Sequence, residues 1–249
     1  MNYKEYGKDN KDVIILLHGG GLSWWNYRSE ALLLKKNYHV IIPILDGHSG
    51  SDRSFTSIRD NAEEIIAFID ENYNGHVLFI GGLSLGAQIL LEILSIRNDI
   101  CDYSIIESGL VVPSKLTYKL IEPSVKYSYG LIKKKWFSLL QFRYLRIKSE
   151  LFNEYYTDTC AISKEDMILF MKENSMYQIN ESLKNATAKV KIIIGNKEYF
   201  SIKKSAALIS KYINNGSLLI VPLLYHGEFS LNKPEKYVDE VLSLINSNK

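Results

Sequence analysis

One serine of the chain lies between glycines where two sequence patterns meet. The stretch FIGGLSLGAQILLEIL, residues 79–94, begins as an apolar run and continues with helical spacing, and Ser84 lies at the change. Small glycines on both sides let the backbone turn sharply from a strand into a helix, so that the serine hydroxyl projects from the strand end. The N–H of Leu85 then lies at a helix N-terminus, where developing negative charge is stabilised. This setting indicates a nucleophile, although an isolated GxSxG match is more often a turn with an uninvolved serine.

The composition excludes several other classes of function. The 249 residues are enough for one α/β domain with an insertion, and the 46% hydrophobic and 23% charged shares are typical of globular proteins. A net charge of +2 provides no strong field for nucleic acid, so no nucleic-acid partner is expected. Cys101 and Cys160 have no metal-ligand spacing, so no metal site is expected.

The N-terminal segment has the pattern of neither a signal peptide nor a membrane span. It opens with polar residues, and its first apolar run covers only residues 13–17. Later segments also fall short of the length that a membrane helix needs. We therefore expect no stable membrane insertion and a cytoplasmic location, with export by a leaderless route left open. The sequence gives no indication of the oligomeric state.

The elements that must position Ser84 alternate between short apolar runs and segments of helical spacing. This alternation is typical of crossover units that build a mostly parallel central sheet flanked by helices, the α/β class. The predicted strands are residues 13–17, 39–45, 76–81, 103–106, 190–194 and 217–222. A last helix is predicted to begin at Pro234, because proline is favoured in the first helical turn.

The alternation stops in the middle of the chain. Residues 111–182 are mostly helical in spacing, rich in aromatic residues and locally basic, as in KKKWF and FRYLRIK. We predict that residues 1–110 and 183–249 form the core and that residues 111–182 form a helical lid. Basic side chains of the lid such as Arg143 and Arg146 could meet an acidic head group or leaving group. For most such residues, solvent exposure of a charged helix face is the better explanation.

Motifs in a fixed order make the chain resemble the α/β-hydrolase family over nearly its whole length. They are LLHGGG at residues 16–21, DGHSGSD at residues 46–52, the Ser84 turn and the insertion after it. The resemblance implies the α/β-hydrolase fold, with the helical lid inserted after the sixth strand of the family's sheet. It also implies that the N–H of Gly20 completes an oxyanion hole with that of Leu85, with Gly21 as the alternative, and that His48 is structural.

The resemblance also implies an acid that follows the lid. Glu198 comes three residues after Gly195, at the end of a predicted strand, where family members carry an Asp or Glu that orients a histidine. Most members carry Asp, and Glu is the less common choice. Glu107, at the end of the preceding predicted strand, is the alternative acid, because some members place the acid there.

The predicted base is His226. It follows the last predicted strand at its carboxyl end and comes after both the serine and the acid, which is the chain order of this fold. His39 and His76 lie at strand entrances, the wrong end for catalysis in a parallel sheet. A capping or packing role for His226 is the alternative.

The substrate pocket is less defined by sequence. Trp24 and Trp25 come just after the glycine loop that contains Gly21, and Trp136 is one of the lid aromatics, so these four residues are candidates for the pocket wall. The tryptophans can instead pack against the first helix or within the lid.

Taken together, the motifs imply a serine hydrolase that cleaves a carboxylic ester, a thioester or a related acyl bond. A Ser84–His226–Glu198 triad would act through an acyl-enzyme, as in carboxylesterases, thioesterases and lipases. Such a mechanism implies no cofactor and no metal, and a small-molecule acyl substrate as the partner. An acyltransferase would share every residue, and the same fold also serves non-catalytic ligand-binding or receptor proteins.

Overall fold

The computed structural model describes residues 1–247, which form seven β-strands and ten α-helices. The strands are β1 (Tyr3–Tyr6), β2 (Val13–Leu17), β3 (His39–Pro43), β4 (Val77–Leu83), β5 (Cys101–Glu107), β6 (Lys189–Gly195) and β7 (Gly216–Val221). The helices are α1 (Arg28–Leu34), α2 (Ile58–Tyr73), α3 (Leu85–Ile96), α4 (Lys115–Ile132), α5 (Lys135–Tyr144), α6 (Phe152–Ala161), α7 (Lys164–Met176), α8 (Phe200–Tyr212), α9 (Glu228–Asn232) and α10 (Pro234–Asn246). Within this range no helix combines the length and the apolar character that a bilayer crossing requires.

The strands form one sheet in the order β1-β3-β2-β4-β5-β6-β7. β1 pairs antiparallel with β3, and all the other neighbours are parallel. The predicted α/β class with a mostly parallel sheet is therefore confirmed. β1 is absent from the predicted strands because its sequence YKEY is short and polar and its side chains are exposed or half-buried at the sheet edge.

Successive strand side chains enter two separate apolar layers, one on each face of the sheet. In β2, Ile14 and Leu16 pack in the layer with α1 and α10, whereas Ile15 and Leu17 pack in the layer with α2, α3 and α8. Each fully buried aliphatic side chain contributes about 1.5–3 kcal/mol of transfer free energy. The sheet is thus fixed on both faces, and its carboxyl end is a rigid edge on which loops can hold side chains.

The helices α4 to α7 lie between β5 and β6, within the stretch that the sequence predicts to be helical. Their buried side chains join the same two apolar layers as the sheet. Gln88 of α3 donates to the carbonyl oxygens of Leu110 (2.7 Å) and Asn174 (2.9 Å), and the Asn174 side chain donates back to Gln88 Oε1 (2.8 Å). The inserted segment is therefore joined to the core by buried hydrogen bonds as well as by apolar packing.

Candidate active site

Ser84 lies in a strained turn between β4 and α3. Its backbone has φ +53° and ψ −107°, a conformation that costs a non-glycine residue about 1–3 kcal/mol. A Cβ on Gly82 would lie 2.4 Å from the carbonyl oxygen of Gly86, and a Cβ on Gly86 would lie 2.2 Å from that of Leu17. Both glycines are thus required for the close backbone approach, and the turn holds the serine hydroxyl at the carboxyl end of the sheet.

Three predicted residues meet at this edge. His226 follows β7, and its Nε2 lies 3.0 Å from Ser84 Oγ. On the other side of the ring, Nδ1 lies 2.8 Å from Oε2 of Glu198. Because a carboxylate only accepts, Nδ1 carries the proton, and Nε2 is left to accept the Ser84 hydroxyl proton. The geometry is that of a serine made more nucleophilic by an oriented base.

Both oxygens of the Glu198 carboxylate are held by hydrogen bonds. Its side chain is fully buried, and Oε1 accepts hydrogen bonds from the Gly195 N–H (2.9 Å) and the Ser108 hydroxyl (2.7 Å). Hydrogen bonds to a carboxylate are shorter and stronger than those between neutral groups. The carboxylate held beside Nδ1 keeps the imidazole ring in one orientation.

Glu107, the alternative acid, has other partners. Its Oε1 accepts the backbone N–H groups of Phe229 and Ser230, each at 3.2 Å, at the start of α9. Burial raises the pKa of Glu107 to about 7. In the part of the chain that the structure describes, Glu107 forms no hydrogen bond with His226. It therefore holds the backbone that follows His226 and does not orient the ring.

Two residues that line the same cavity as Ser84, Gly20 and Leu85, have backbone N–H groups without an acceptor in the described chain. The N–H of Gly21 is instead donated to His48 Nε2 at 3.0 Å. Burial lowers the pKa of His48 to about 4, which keeps its ring neutral and able to accept this bond near neutral pH. Gly20 and Leu85 can therefore donate to an oxyanion, whereas Gly21 cannot.

Two cavities lie beside the Ser84–His226 contact. The first, of about 360 Å³, includes Ser84 and is lined by the apolar side chains Leu110, Val112, Ile121, Phe170 and Met171 and by the polar side chains Ser114, Thr117, Asn174, Ser175 and Ser201. The second, of about 210 Å³, includes His226 and Glu198 and is lined by Arg143, Tyr144, Leu145, Arg146, Lys197, Tyr199 and Tyr225. The site thus offers a space lined by uncharged side chains beside the serine and a basic, aromatic space beside the histidine.

The four residues proposed from sequence for the pocket wall line neither cavity. Trp25 is 2% exposed and donates from Nε1 to Asp158 Oδ2 at 2.8 Å. Trp24 lies beside the cations of Lys4 and Arg28, and Trp136 is 61% exposed. Gly21 presents its N–H to His48 and not to a cavity. The structure therefore places none of the three tryptophans at the cavity walls: Trp25 packs against α6 of the inserted segment, and Trp136 is exposed on α5.

The actual wall residues were not recognised from the sequence. Leu110 and Val112 come directly after β5, and a position just past the carboxyl end of a strand is a signal that could have identified them. Phe170 and Met171 lie on α7 and carry no comparable signal. In residues 1–247 no three His, Cys, Asp or Glu side chains are arranged to hold a metal ion.

The sequence of the chain is similar to a family model and to a curated protein. The sequence model of the Alpha/beta hydrolase family matches residues 14–164, more than half of the chain. A curated "AB hydrolase superfamily protein" from Gibberella zeae is 29% identical over 114 residues, a segment that covers 43% of this chain and 38% of that protein.

Solved structures of esterases and other hydrolases share the fold. A thermophilic esterase from Thermogutta terrifontis has a TM-score of 0.80 over 99% of this chain and 93% of its own, with 14% identity. An enol-lactonase from Burkholderia xenovorans LB400 has a TM-score of 0.82 over 98% of this chain and 95% of its own, with 12% identity. At these identities the likeness shows the fold alone.

Proposed function

The chain belongs to the alpha/beta hydrolase family, and from this premise we propose that it is a serine hydrolase that cleaves a carboxylic ester, a thioester or a related acyl bond. The observation that carries the proposal is the continuous hydrogen-bond chain from Ser84 Oγ through both nitrogens of His226 to the buried Glu198. A purely structural serine needs neither the strained backbone nor an oriented imidazole.

In the proposed first step, Ser84 Oγ attacks the acyl carbon while His226 Nε2 takes the hydroxyl proton. The new Oγ–C bond turns the carbonyl oxygen into an oxyanion, which accepts hydrogen bonds from the N–H groups of Gly20 and Leu85. Each such donor contributes about 3 kcal/mol to the stabilisation of the transition state in comparable sites. Glu198 stabilises the imidazolium that forms.

In the second half, His226 returns the proton to the leaving group as the bond between that group and the acyl carbon breaks. The acyl-enzyme on Ser84 is then attacked by water, whose proton His226 accepts. His226 returns this proton to Ser84 Oγ as the bond between Oγ and the acyl carbon breaks, and the acid product is released. Besides water, both steps use only side chains and backbone groups of this chain.

We place the acyl chain of the substrate in the cavity beside Ser84. Its wall comes from residues 110 and 112 and from the helices α4 and α7. This assignment makes residues 111–182 the lid of the site, and residues 1–110 with 183–249 the core that carries the reacting groups. A cavity of about 360 Å³ suits a small or medium acyl group, within the usual range for small-molecule sites.

The experiment that tests the proposal is covalent labelling with a small fluorophosphonate, measured by intact mass and peptide mapping, with Ser84→Ala as the control. We expect one label per chain on Ser84 and none on the variant. Hydrolysis of 4-nitrophenyl esters of increasing acyl length would then define the acyl preference. A folded protein that takes up no label and hydrolyses no ester would refute the proposal and favour a binding role for the same fold.

A further inference from the structure

We propose that the basic cleft beside His226 binds the leaving group of the substrate and that this leaving group carries an anion, a phosphate or a carboxylate. The inference rests on the proposed hydrolase function and narrows its substrate class. It assigns acyl esters or thioesters whose alcohol or thiol part is negatively charged.

The first step of the argument is the direction in which the leaving group lies. His226 must protonate the leaving group, so that group occupies the side of Ser84 on which the imidazole lies. The cleft is lined by His226 and by Glu198, which contacts the Nδ1 edge of the ring, so a leaving group that begins at Nε2 reaches the cleft by extending past the imidazole. The cavity that includes Ser84 is not lined by His226. The two parts of an ester therefore meet surfaces of different chemistry.

The second step is the charge of the cleft. Arg143, Arg146 and Lys197 line it, and in the described part of the chain none of them forms an ion pair with an acidic side chain. The Glu198 carboxylate on the same wall is committed to His226, Ser108 and the Gly195 N–H. Three cations without a protein counter-ion favour a bound anion.

The third step is how the cations are held. The Arg146 guanidinium lies 3.8 Å from the centre of the Tyr225 ring, which orients its plane. The Arg146 side chain has no hydrogen-bond acceptor within residues 1–247, so its N–H groups are available to phosphate or carboxylate oxygens. Besides Glu198, the acidic side chain of Glu228 contacts this wall, since its Oε2 accepts the Tyr225 N–H at 2.6 Å.

The fourth step is that the cleft joins two parts of the fold. Arg143 and Arg146 belong to α5 and the turn after it, and Lys197 belongs to the loop between β6 and α8. The hydroxyl groups of Tyr144 and Tyr199 form a hydrogen bond that connects these same two segments. The Lys197 N–H donates to the carbonyl oxygen of Leu224 at 2.9 Å, which fixes its backbone. Arg146 is thus oriented by Tyr225, the backbones that carry Arg143 and Lys197 are held next to each other, and the three cationic side chains are exposed where a ligand can reach them.

The test compares esters that share one acyl group and differ in the leaving group. The probes are 4-acyloxyphenyl phosphate, 4-acyloxybenzoate and the neutral 4-acyloxybenzamide, each rate being divided by that of hydroxide-catalysed hydrolysis. At low salt we expect kcat/KM for at least one anionic ester to exceed that for the neutral benzamide ester about tenfold. The two values of kcat/KM should become more similar as ionic strength rises. The faster anion identifies phosphate or carboxylate as the preferred group.

A fourth probe moves the charge to the other side of the ester. It carries a carboxylate at the far end of the acyl chain and the neutral benzamide leaving group. Because no charged side chain lines the cavity beside Ser84, a carboxylate there has no counter-ion, and this probe should be slower than its uncharged counterpart. A wild-type protein that treats the anionic and neutral leaving groups alike would overturn the inference without any variant being needed.

Variants test the named residues. Arg143→Gln and Lys197→Gln should each lower the anionic-to-neutral ratio of kcat/KM about fivefold to tenfold. Lys119→Gln is the matched control, because Lys119 is an exposed lysine of α4 that lines neither cavity, and it should keep the wild-type ratio. An unchanged ratio in both cleft variants would refute the inference, and if they still take up fluorophosphonate, the proposed function stands.

Discussion

The carboxyl ends of β5 and β6 are neighbours, and each carries a buried glutamate with different partners. Glu198, just after β6, accepts the Nδ1–H of His226. Glu107, the last residue of β5, accepts the backbone N–H groups of Phe229 and Ser230. The difference arises because the loop after β7 presents a side chain to one carboxylate and a helix start to the other. One glutamate orients the imidazole ring, and the other fixes the backbone on which the ring is carried.

The Ser84→Ala variant gives the residual kcat with which the effects of both glutamate variants are compared. Loss of the proposed nucleophile should lower kcat by about 10⁴-fold or more, whatever the two carboxylates do. Ester hydrolysis at saturating substrate, with circular dichroism as the control for folding, measures this. Substantial residual turnover would remove Ser84 from the mechanism.

Glu198→Gln should give the larger of the two glutamate effects. The amide keeps the shape but removes the negative charge and can hold the wrong tautomer of His226, so kcat should fall by about 10³- to 10⁴-fold. Fluorophosphonate labelling should slow in parallel. If Glu107→Gln instead produces this loss while Glu198→Gln does not, the two roles are assigned the wrong way round.

Glu107→Gln should change stability more than turnover. The pKa of this carboxyl is raised by burial from 4.5 to about 7, so between these values the unfolded chain loses a proton that the folded chain retains. The wild-type free energy of unfolding should therefore fall by about 3 kcal/mol as pH rises across this window and stay low above it.

The glutamine variant should lack this decline. Urea unfolding of both proteins at a series of pH values gives the difference between their free energies of unfolding. The contributions of the other titrating groups cancel in this difference. A difference between the two proteins that does not change with pH would contradict the assignment. We expect kcat of the variant to fall by less than about threefold at neutral pH, because Glu107 does not contact the ring.

Ser108→Ala should change kcat far less than Glu198→Gln does, and it tests a residue that contacts both Glu198 and the loop that follows His226. The Ser108 hydroxyl donates to Glu198 Oε1 at 2.7 Å and accepts the Gly227 N–H at 3.4 Å. Its loss removes one of the hydrogen bonds that hold the acid, worth about 1 kcal/mol, so kcat should fall about fivefold. A loss as large as that of Glu198→Gln would mean that Ser108 has a direct part in the reaction.

The strands and the site residues could be predicted for a physical reason. Strands that are buried on both faces have continuous apolar sequences, which can be recognised directly. The glycines at positions 82 and 86 determine a turn because a side chain at either position would clash with nearby backbone. The chain order then led to the three residues that the structure brings together. β1 could not be found in the same way, because an edge strand with polar side chains lacks the apolar signal.

Two features could not be derived from the residues alone: which of the two glutamates contacts His226, and which residues line the cavities. Which glutamate meets His226 depends on the path of the loop after β7, a contact between residues far apart in the chain. The position of Trp25 depends on a similar contact, since its partner Asp158 lies 133 positions away in α6. Local patterns carry no information on how the inserted helices lie over the sheet.

The paired amides of Gln88 and Asn174 bear on how the protein exchanges its substrate and product. Gln88 is fully buried one turn after Ser84, and Asn174 lies on α7, whose Phe170 and Met171 line the cavity beside Ser84. Lifting α7 would break both hydrogen bonds between Gln88 and Asn174, at about 0.5–1.5 kcal/mol each, and would leave Gln88 bonded to Leu110 alone. We therefore expect α7 to stay in place while substrate and product exchange, and backbone amides to exchange with deuterium more slowly in α7 than in α5. Equal exchange in the two helices would mean that α7 opens as readily as its neighbour.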